Sequence, residues 1–202
     1  MATEALRIMV VDENPQRSRL LEAALGESGY TVVEGVERFD ELAQRVRAAQ
    51  PDVVLIDVDA PGRDALEQVS AMHQDMPRPV VMFSQEADQQ LIQQAIHAGV
   101  SAYVSEGISQ ANIDAVIDVA RAHFQEYQAL RQALEKARSD LDDRKIIDRA
   151  KGMIMAERGL SEPAAYRALQ KIAMDRKRRL AHVAEDVIHM AELFTRDAES
   201  SR

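Results

Sequence analysis

The most informative segment of this 202-residue chain is VVLIDVDAPG, at positions 53–62. Val53–Ile56 is a continuous apolar run rich in β-branched side chains, which is typical of a strand buried on both faces of a sheet. The run ends at Asp57, and Ala60-Pro61-Gly62 has the composition of a turn. The segment therefore predicts a buried strand with a carboxylate at its end, followed by a turn and a helix.

The same alternation of strand and helix recurs through the first 122 residues. Short apolar runs predict the strands Leu6–Val11, Thr31–Val33, Val53–Ile56, Val80–Phe83 and Ala102–Val104. Apolar residues at helical spacing predict helices from Pro15 to a stop at Gly29, over Phe39–Ala49, near Ala65–Met72 and near Leu91–His97. Because parallel strands need crossover connections, five such units predict an α/β doubly wound, five-stranded parallel sheet with helices on both faces.

Composition excludes several classes of protein. The chain is 46% hydrophobic and 29% charged, which suits a folded protein rather than a disordered one. It contains no Cys, which excludes a disulfide scaffold, a Cys-ligated metal site and thiol catalysis. No apolar run approaches the roughly 20 residues that a spanning helix needs, so we expect a cytoplasmic protein without a membrane segment.

The net charge of −9 is unevenly distributed. Residues 1–125 carry 20 acids and 9 bases, whereas residues 126–202 carry 14 acids and 16 bases. The stretch Arg144–Arg179 alone holds 11 bases against 4 acids. Such a local basic field attracts phosphate, although the solvated face of an ordinary helical domain is the alternative explanation.

Polar side chains follow four of the predicted strands. Asp12 and Glu13 follow the first strand, Asp57 the third, Ser84 the fourth and Ser105 the fifth. The ligand crevice of a doubly wound sheet lies beyond the carboxyl ends of its strands, so we expect these side chains to meet there. Three carboxylates at one edge repel one another and favour Mg²⁺, which makes metal-assisted phosphoryl chemistry on Asp57 a hypothesis. The alternative is that they only cap helices and turns.

This N-terminal region resembles the receiver domains of two-component response regulators. The resemblance covers residues 5–122 and rests on VVDEN at 10–14, LIDVDAPG at 55–62 and VMFS at 81–84. It implies that Asp57 is the phospho-acceptor and that Asp12 and Glu13, together with Asp57, bind Mg²⁺. It also implies that Ser84 is the switch hydroxyl and Tyr103 the switch aromatic residue.

The chain departs from the family after the fifth strand. The family has a Lys there that pairs with the phosphoryl oxygens, whereas this chain has Ser105 at that switch position, followed by Glu106. A hydroxyl cannot balance the charge of a phosphoryl dianion, and Glu106 would repel it. Two interpretations stay open: Asp57 is phosphorylated, or the domain serves chiefly to dock a protein partner.

A connector helix is predicted over residues 123–143. The chain has no Pro or Gly between Ile113 and Gly152, which favours one long helix. Spacings of three and four separate the apolar residues Tyr127, Leu130, Leu134, Ala137 and Leu141. This spacing is typical of a coiled-coil seam and predicts a homodimer, although the stripe could instead fold back onto its own domains.

Two more helices are predicted after Gly159, giving a three-helix unit with the end of the connector. Ser161 is a candidate N-cap, and Pro163 suits a first turn. The predicted buried face of the second helix contains Tyr166, Leu169, Ile172 and Ala173, and that of the third contains Leu180, Val183, Ala184, Val187, Ile188 and Ala191. We expect Met153, Met155, Met174 and Met190 to fill gaps in this core.

The bases of this unit lie near its helix junctions. They are Arg144, Lys145, Arg149, Lys151 and Arg158, and then Arg176, Lys177, Arg178 and Arg179. Ala181–Phe194 contains no Lys or Arg, which disfavours a DNA recognition helix. Bases on a first helix and a turn suit phosphate contacts around an RNA loop.

Residues 140–194 resemble the ANTAR domain, the RNA-binding output of transcription antitermination regulators, and we assign 140–196 to it. The resemblance rests on IDRAKGMIM at 147–155, GLSE at 159–162, AMDR at 173–176 and LAHVAE at 180–185. It implies binding to hairpin loops in nascent leader RNA. The implied contacts are Lys151, Gly152 and Arg176, with phosphate affinity from Arg144, Arg149, Lys177, Arg178 and Arg179. Ala150 and Gly152 could instead be small only to allow helix packing.

Together the two resemblances imply an antiterminator controlled by a sensor partner or by phosphorylation, similar to the nitrate-assimilation antiterminators. An amide-type antiterminator held by a ligand-binding partner is an alternative. A phosphorylation-switched DNA-binding response regulator is another, and a pure interaction adaptor is a third. No nucleophile, base and oxyanion donor converge in the sequence, so we do not expect an enzyme.

Overall fold

The computed structural model describes residues 5–36, 38, 39, 42–105 and 112–200. The chain forms two compact units, Met1–Ala129 and Leu130–Arg202. The strands are β1 (Arg7–Asp12), β2 (Thr31–Val36), β3 (Val53–Val58), β4 (Val80–Ser84) and β5 (Ala102–Val104). The helices are α1 (Pro15–Glu27), α2 (Leu42–Ala49), α3 (Arg63–Asp75), α4 (Gln89–Ala98), α5 (Ile113–Arg158), α6 (Glu162–Arg176) and α7 (Leu180–Ser200).

The strands form one parallel sheet in the order β2-β1-β3-β4-β5. The order reverses direction between β1 and β3, which is where ligands bind in open α/β sheets. Asp12 and Asp57 are register partners across these two strands. The predicted doubly wound sheet, followed by a long helix and further helices, is confirmed.

Successive side chains of the buried strands pack into two separate cores, one on each face of the sheet. Met9 and Val11 of β1 pack on one face with residues of α2, α3 and α4. Ile8 and Val10 pack on the other face with residues of α1 and with Ile113 and Ile117 of α5. Because both faces are covered, the continuous apolar runs of the sequence belong to buried strands.

Some boundaries differ from those predicted. Helix α2 begins at Leu42 and not at Phe39, which is itself buried, and residues 40 and 41 lie outside the described residues. Helix α5 runs without a break through the predicted boundaries at residues 122 and 140, so the proposed limits of connector and output domain stay predictions. Among the helices of the described ranges, none has the length and apolar character needed to cross a bilayer.

The second unit buries a narrower stripe than predicted. Its core contains Ala150, Leu169, Ala173, Val183, Ala184 and Ile188. The prediction that Tyr166 and Ile172 are buried is wrong, because these side chains are 39% and 37% exposed. The Met prediction fails at Met174 and Met190, which are 77% and 54% exposed. A small three-helix unit covers only one residue per turn of α6, so side chains flanking that line stay in water.

Gly99 ends helix α4 with a φ of +108°, a conformation that L side chains rarely adopt. A Cβ at this position would lie 2.5 Å from Cγ of His73. We expect Gly99→Ala to lower the free energy of unfolding by about 2–4 kcal/mol, measured by urea denaturation. As a control, Gly26→Ala lies in helix α1 with no atom near the added methyl, and should raise stability by about 0.5–1 kcal/mol. Equal stability of Gly99→Ala and the unmodified chain would contradict this account.

Candidate functional site

Helix α1 places a base over the carboxyl ends of β1 and β3. The side chain of Asn14 caps the helix by accepting hydrogen bonds from the backbone N–H groups of Gln16 (3.0 Å) and Arg17 (3.3 Å). The backbone N–H of Asn14 donates to Oδ1 of Asp12 at 2.8 Å. This cap fixes the first turn of α1, so that the Arg17 side chain extends over the strand ends.

Arg17 contacts three carboxylates. Its Nε and Nη2 donate to Oδ2 and Oδ1 of Asp12, both at 2.8 Å. Nε also lies 3.2 Å from Oδ2 of Asp57, and Nη1 donates to Oδ1 of Asp59 at 2.7 Å. Asp12 is fully buried, whereas the side chain of Asp59 is 79% exposed. One guanidinium therefore offsets part of the charge of the acidic edge that the sequence predicts, and the bidentate pair with Asp12 is its strongest contact.

The pKa values of Arg17 and Asp57 are both raised, for different physical reasons. The hydrogen bond to Asp12 raises the pKa of Arg17 above its ordinary value, and the contacts with Asp59 and Asp57 act in the same direction. Burial raises the pKa of Asp57, and the neighbouring charge of Arg17 opposes that increase only in part.

The arrangement does not fit the predicted Mg²⁺ site of Asp12, Glu13 and Asp57. Both carboxylate oxygens of Asp12 already accept from Arg17, and the exposed Glu13 lines an open cavity of about 670 Å³ together with Arg17 and Asp59. Within the described residues, no group of three His or acidic residues could hold a metal ion. We therefore assign no chemistry of this site to a metal.

The predicted switch residues connect the pocket to β5 by hydrogen bonds. The Ser84 hydroxyl donates to the carbonyl of Asp59 at 3.0 Å and accepts from the N–H of Glu86 at 3.1 Å. The Tyr103 hydroxyl donates to the carbonyl of Glu86 at 2.9 Å. Ser105 is exposed and does not reach the carboxylates, while Glu106 lies outside the described residues.

Three adjacent residues of α5 have different surroundings in the second unit. Ala150 is fully buried in the core, as the packing explanation requires. Gly152 is exposed, and a Cβ there would have no atom within 4 Å, so packing does not explain it. Nζ of Lys151 lies 2.7 Å from Oδ1 of Asp148 and 2.6 Å from Oε1 of Glu162, which raises its pKa to about 12.

The basic turn between α6 and α7 lies against α5. Lys177 ends α6 in the left-handed conformation, with a φ of +51°. Arg178 pairs with Asp186, and Nη2 of Arg179 donates to Oδ2 of Asp143 at 2.8 Å. The second contact brings the turn next to Arg144, which follows Asp143 on α5.

The predicted RNA contacts therefore fall into two groups. Lys151, Arg178 and Arg179 each pair with a carboxylate of the same unit. Arg144, Arg176 and Lys177 are exposed, and the described part of the chain gives them no ion pair or side-chain hydrogen bond. Arg149 is also exposed.

Comparison with known proteins agrees with this architecture. Residues 8–118, more than half of the chain, match the response regulator receiver domain. This chain belongs to the response regulator receiver family. Residues 135–188 match the ANTAR domain, so the protein is a response regulator with an ANTAR domain in its second unit. The two predicted resemblances are confirmed.

Individual relatives of this ANTAR response regulator differ in how much of the chain they cover. It is 29% identical to the transcriptional regulatory protein PdtaR of Mycobacterium tuberculosis over 182 residues, 90% of this chain and 89% of that protein. It is 30% identical to the nitrate regulatory protein of Klebsiella oxytoca over 79 residues, 39% of this chain and 20% of that protein. The solved receiver domain of NarL from M. tuberculosis shares the fold, with a TM-score of 0.53 at 24% identity over 59% of this chain and 98% of that one.

Sequence reasoning missed Arg17. A cation in the first turn of a helix is disfavoured by the positive end of the helix dipole, unless carboxylates lie close to it. Arg17 follows the cap Asn14-Pro15 and lies five residues after the strand-ending Asp12. This combination of a helix cap and a nearby strand-ending carboxylate is the sequence feature from which the pairing of Arg17 with Asp12 could have been predicted.

We expect the free energy of unfolding of Asp57→Asn, relative to that of the unmodified chain, to increase as the pH rises. Because the folded-state pKa of Asp57 is raised, the contribution of Asp57 to the stability of the receiver falls as pH increases from the ordinary value of 3.8 through the folded-state value. Asn carries no such penalty, so the stability of the variant relative to the unmodified chain should be greater at pH 7 than at pH 4, by urea denaturation. Asp57→Ala should show the same trend, and a difference that is constant or reversed with pH would contradict the assignment.

Proposed function

We propose that this ANTAR response regulator is a transcription antitermination regulator that binds hairpin loops in nascent leader RNA. Control passes through its receiver domain, by a sensor partner or by phosphorylation. The likeness to PdtaR, a transcriptional regulatory protein, along most of both chains supports a role in transcription. The nitrate link stays a prediction, because the match to the Klebsiella protein covers only 20% of that protein.

The observation that carries the proposal is a loss of local stability at two positions of the basic second unit. Gly152 lies inside helix α5, where it is less favourable than Ala by about 0.5–1 kcal/mol, and no neighbouring atom requires its small size. Lys177 has a left-handed backbone that Gly adopts without strain. Backbone that is destabilised without a packing reason favours a role in binding. A glycine on a helix lets a ligand approach the backbone, and an exposed lysine supplies charge.

The fold brings these positions to neighbouring elements. The contact between Arg179 and Asp143 holds the basic turn against α5, and the pair of Lys151 and Glu162 joins α5 to the start of α6. Arg144 and Lys151 are seven residues apart, which places them on one face of α5 about 10 Å apart. The resulting surface carries charge from both α5 and the turn, which suits a folded RNA loop better than a single recognition helix in a DNA groove.

We also propose a homodimer through the connector. The seam residues Tyr127, Leu130, Leu134 and Leu141 of α5 are between 53% and 65% exposed. With Ala137 included, their spacing of three and four residues is that of the a and d positions of a coiled coil. Such a dimer would present two ANTAR domains to paired hairpins.

Leu130→Gln combined with Leu134→Gln should shift the full chain from dimer to monomer in sedimentation velocity, because it removes two adjacent seam contacts. Leu20→Gln is the matched control, since Leu20 is 73% exposed on α1 and lies outside the seam. A seam variant that sediments like the unmodified chain would argue against this interface.

RNA binding is tested by titrating the full chain against a two-hairpin RNA and a DNA duplex of equal length at two salt concentrations. We expect preference for RNA and an affinity that falls steeply with salt. Arg176→Gln combined with Lys177→Gly should weaken binding and lower the salt slope by about 0.7–1 for each phosphate that the protein no longer neutralises. These bases have no intramolecular ion pair in the described residues, so the change leaves existing pairs intact.

Arg19→Gln serves as the control for loss of charge, because Arg19 is exposed on α1 of the receiver. Lys151→Glu is unsuitable, since a third carboxylate beside Asp148 and Glu162 would disturb the helix junction. A preference for duplex DNA would support the DNA-binding alternative, and equal binding to both polymers would contradict recognition of RNA loops.

Gly152→Ala separates binding from stability. The added methyl improves helix propensity, so we expect the free energy of unfolding to rise by about 0.5–1 kcal/mol. The same methyl blocks approach to the backbone, so we expect RNA affinity to fall by about tenfold, equivalent to about 1.4 kcal/mol. Gly26→Ala should raise stability in the same way without changing RNA affinity. Unchanged RNA affinity in Gly152→Ala would remove Gly152 from the interface.

A further inference from the structure

The acidic pocket of the receiver already contains a cation, which is a side chain of the same chain. Without a cation, Asp12, Asp57 and Asp59 would repel one another at the ends of β1 and β3. Arg17 supplies that cation with four nitrogen-to-oxygen contacts between 2.7 and 3.2 Å. Part of the negative charge that a divalent cation would offset is thus offset by Arg17.

Arg17 and Mg²⁺ would compete for the same oxygens. Mg²⁺ binds through oxygens at about 2.0–2.1 Å in a nearly octahedral shell and sheds its water reluctantly. Both oxygens of Asp12 and Oδ2 of Asp57 lie against the guanidinium, so a metal would first have to displace Arg17. Arg17 is part of the first turn of α1 and is always protonated. Its charge is therefore present at the site whatever the concentration of metal.

We propose that Arg17 is a built-in cation that takes the place of Mg²⁺ in this receiver, so that the pocket holds its arrangement without a divalent metal. The same residue begins a chain of hydrogen bonds that leads away from the pocket. It runs from Arg17 through Asp59, Ser84 and Glu86 to Tyr103. The acidic pocket is therefore held by a permanent charge, and the turn after β4 is joined to it through the backbone carbonyl of Asp59. This inference concerns the receiver alone and does not depend on RNA binding.

The test is a titration of the full chain with Mn²⁺, a paramagnetic substitute for Mg²⁺, followed by electron paramagnetic resonance of the free ion. The unmodified chain should bind no more Mn²⁺ than the Asp57→Asn variant does, because no ion is bound through Asp57. Arg17→Gln leaves three carboxylates without their cation, and it should gain one saturable site that the additional change Asp57→Asn removes. Arg19→Gln lies two residues further along the same helix, is exposed, and should behave like the unmodified chain.

Thermal unfolding gives a second test of the proposal, and this test does not depend on whether the Arg17→Gln variant folds. Its midpoint should be the same in MgCl₂ and in NaCl of equal ionic strength, because a ligand that does not bind the folded state does not stabilise it. A saturable increase with MgCl₂ that Asp57→Asn abolishes would overturn the proposal even if Arg17→Gln failed to fold. A folded Arg17→Gln variant that gains no Mn²⁺ site would also overturn the proposal, since Arg17 would then not occupy a position at which a metal can bind.

Discussion

Burying a carboxylate away from water is costly unless a cation or several hydrogen-bond donors contact it, and Asp12 is fully buried. The strand order places Asp57 beside it, which doubles the charge to be balanced. The cap at Asn14 and the loop after β3 then bring Arg17 and Asp59 to the same point. The architecture of the receiver at its ligand edge is therefore organised around one guanidinium.

The ANTAR unit depends on a different balance. Its core is small and made largely of Ala, Leu, Val and Ile side chains from three helices. In a core of this size each kcal/mol matters, yet the unit keeps a glycine inside α5 and a left-handed lysine at the end of α6. Helix packing accounts for Ala150 but not for Gly152, so neighbouring small residues on one helix have different causes.

The sheet could be predicted from the sequence because buried parallel strands are nearly continuous apolar runs, as in Val53–Ile56 and Val80–Phe83. The acidic edge followed from the rule that strand ends converge. Arg17 could not be predicted in the same way, since a long side chain can extend in several directions and only the cap at Asn14 fixes this one. Tyr166 and Ile172 were misassigned because helical periodicity gives a face but not its width, which the packing of α5 and α7 sets.

The ion pairs on the ANTAR surface would affect how the proposed RNA interface discriminates among polyanions. Carboxylates of the same unit already form ion pairs with Lys151, Arg178 and Arg179; they belong to Asp148, Glu162, Asp186 and Asp143. Any phosphate that binds these bases must therefore displace a carboxylate. Exposed pairs of this kind are individually weak, and a ligand that fits several of them at once can exchange them at little cost. A polymer with phosphates at the wrong spacing can exchange only one or two. The acids would then compete with phosphate for the bases, and the proposed interface would select a ligand by the arrangement of its phosphates rather than by its charge alone.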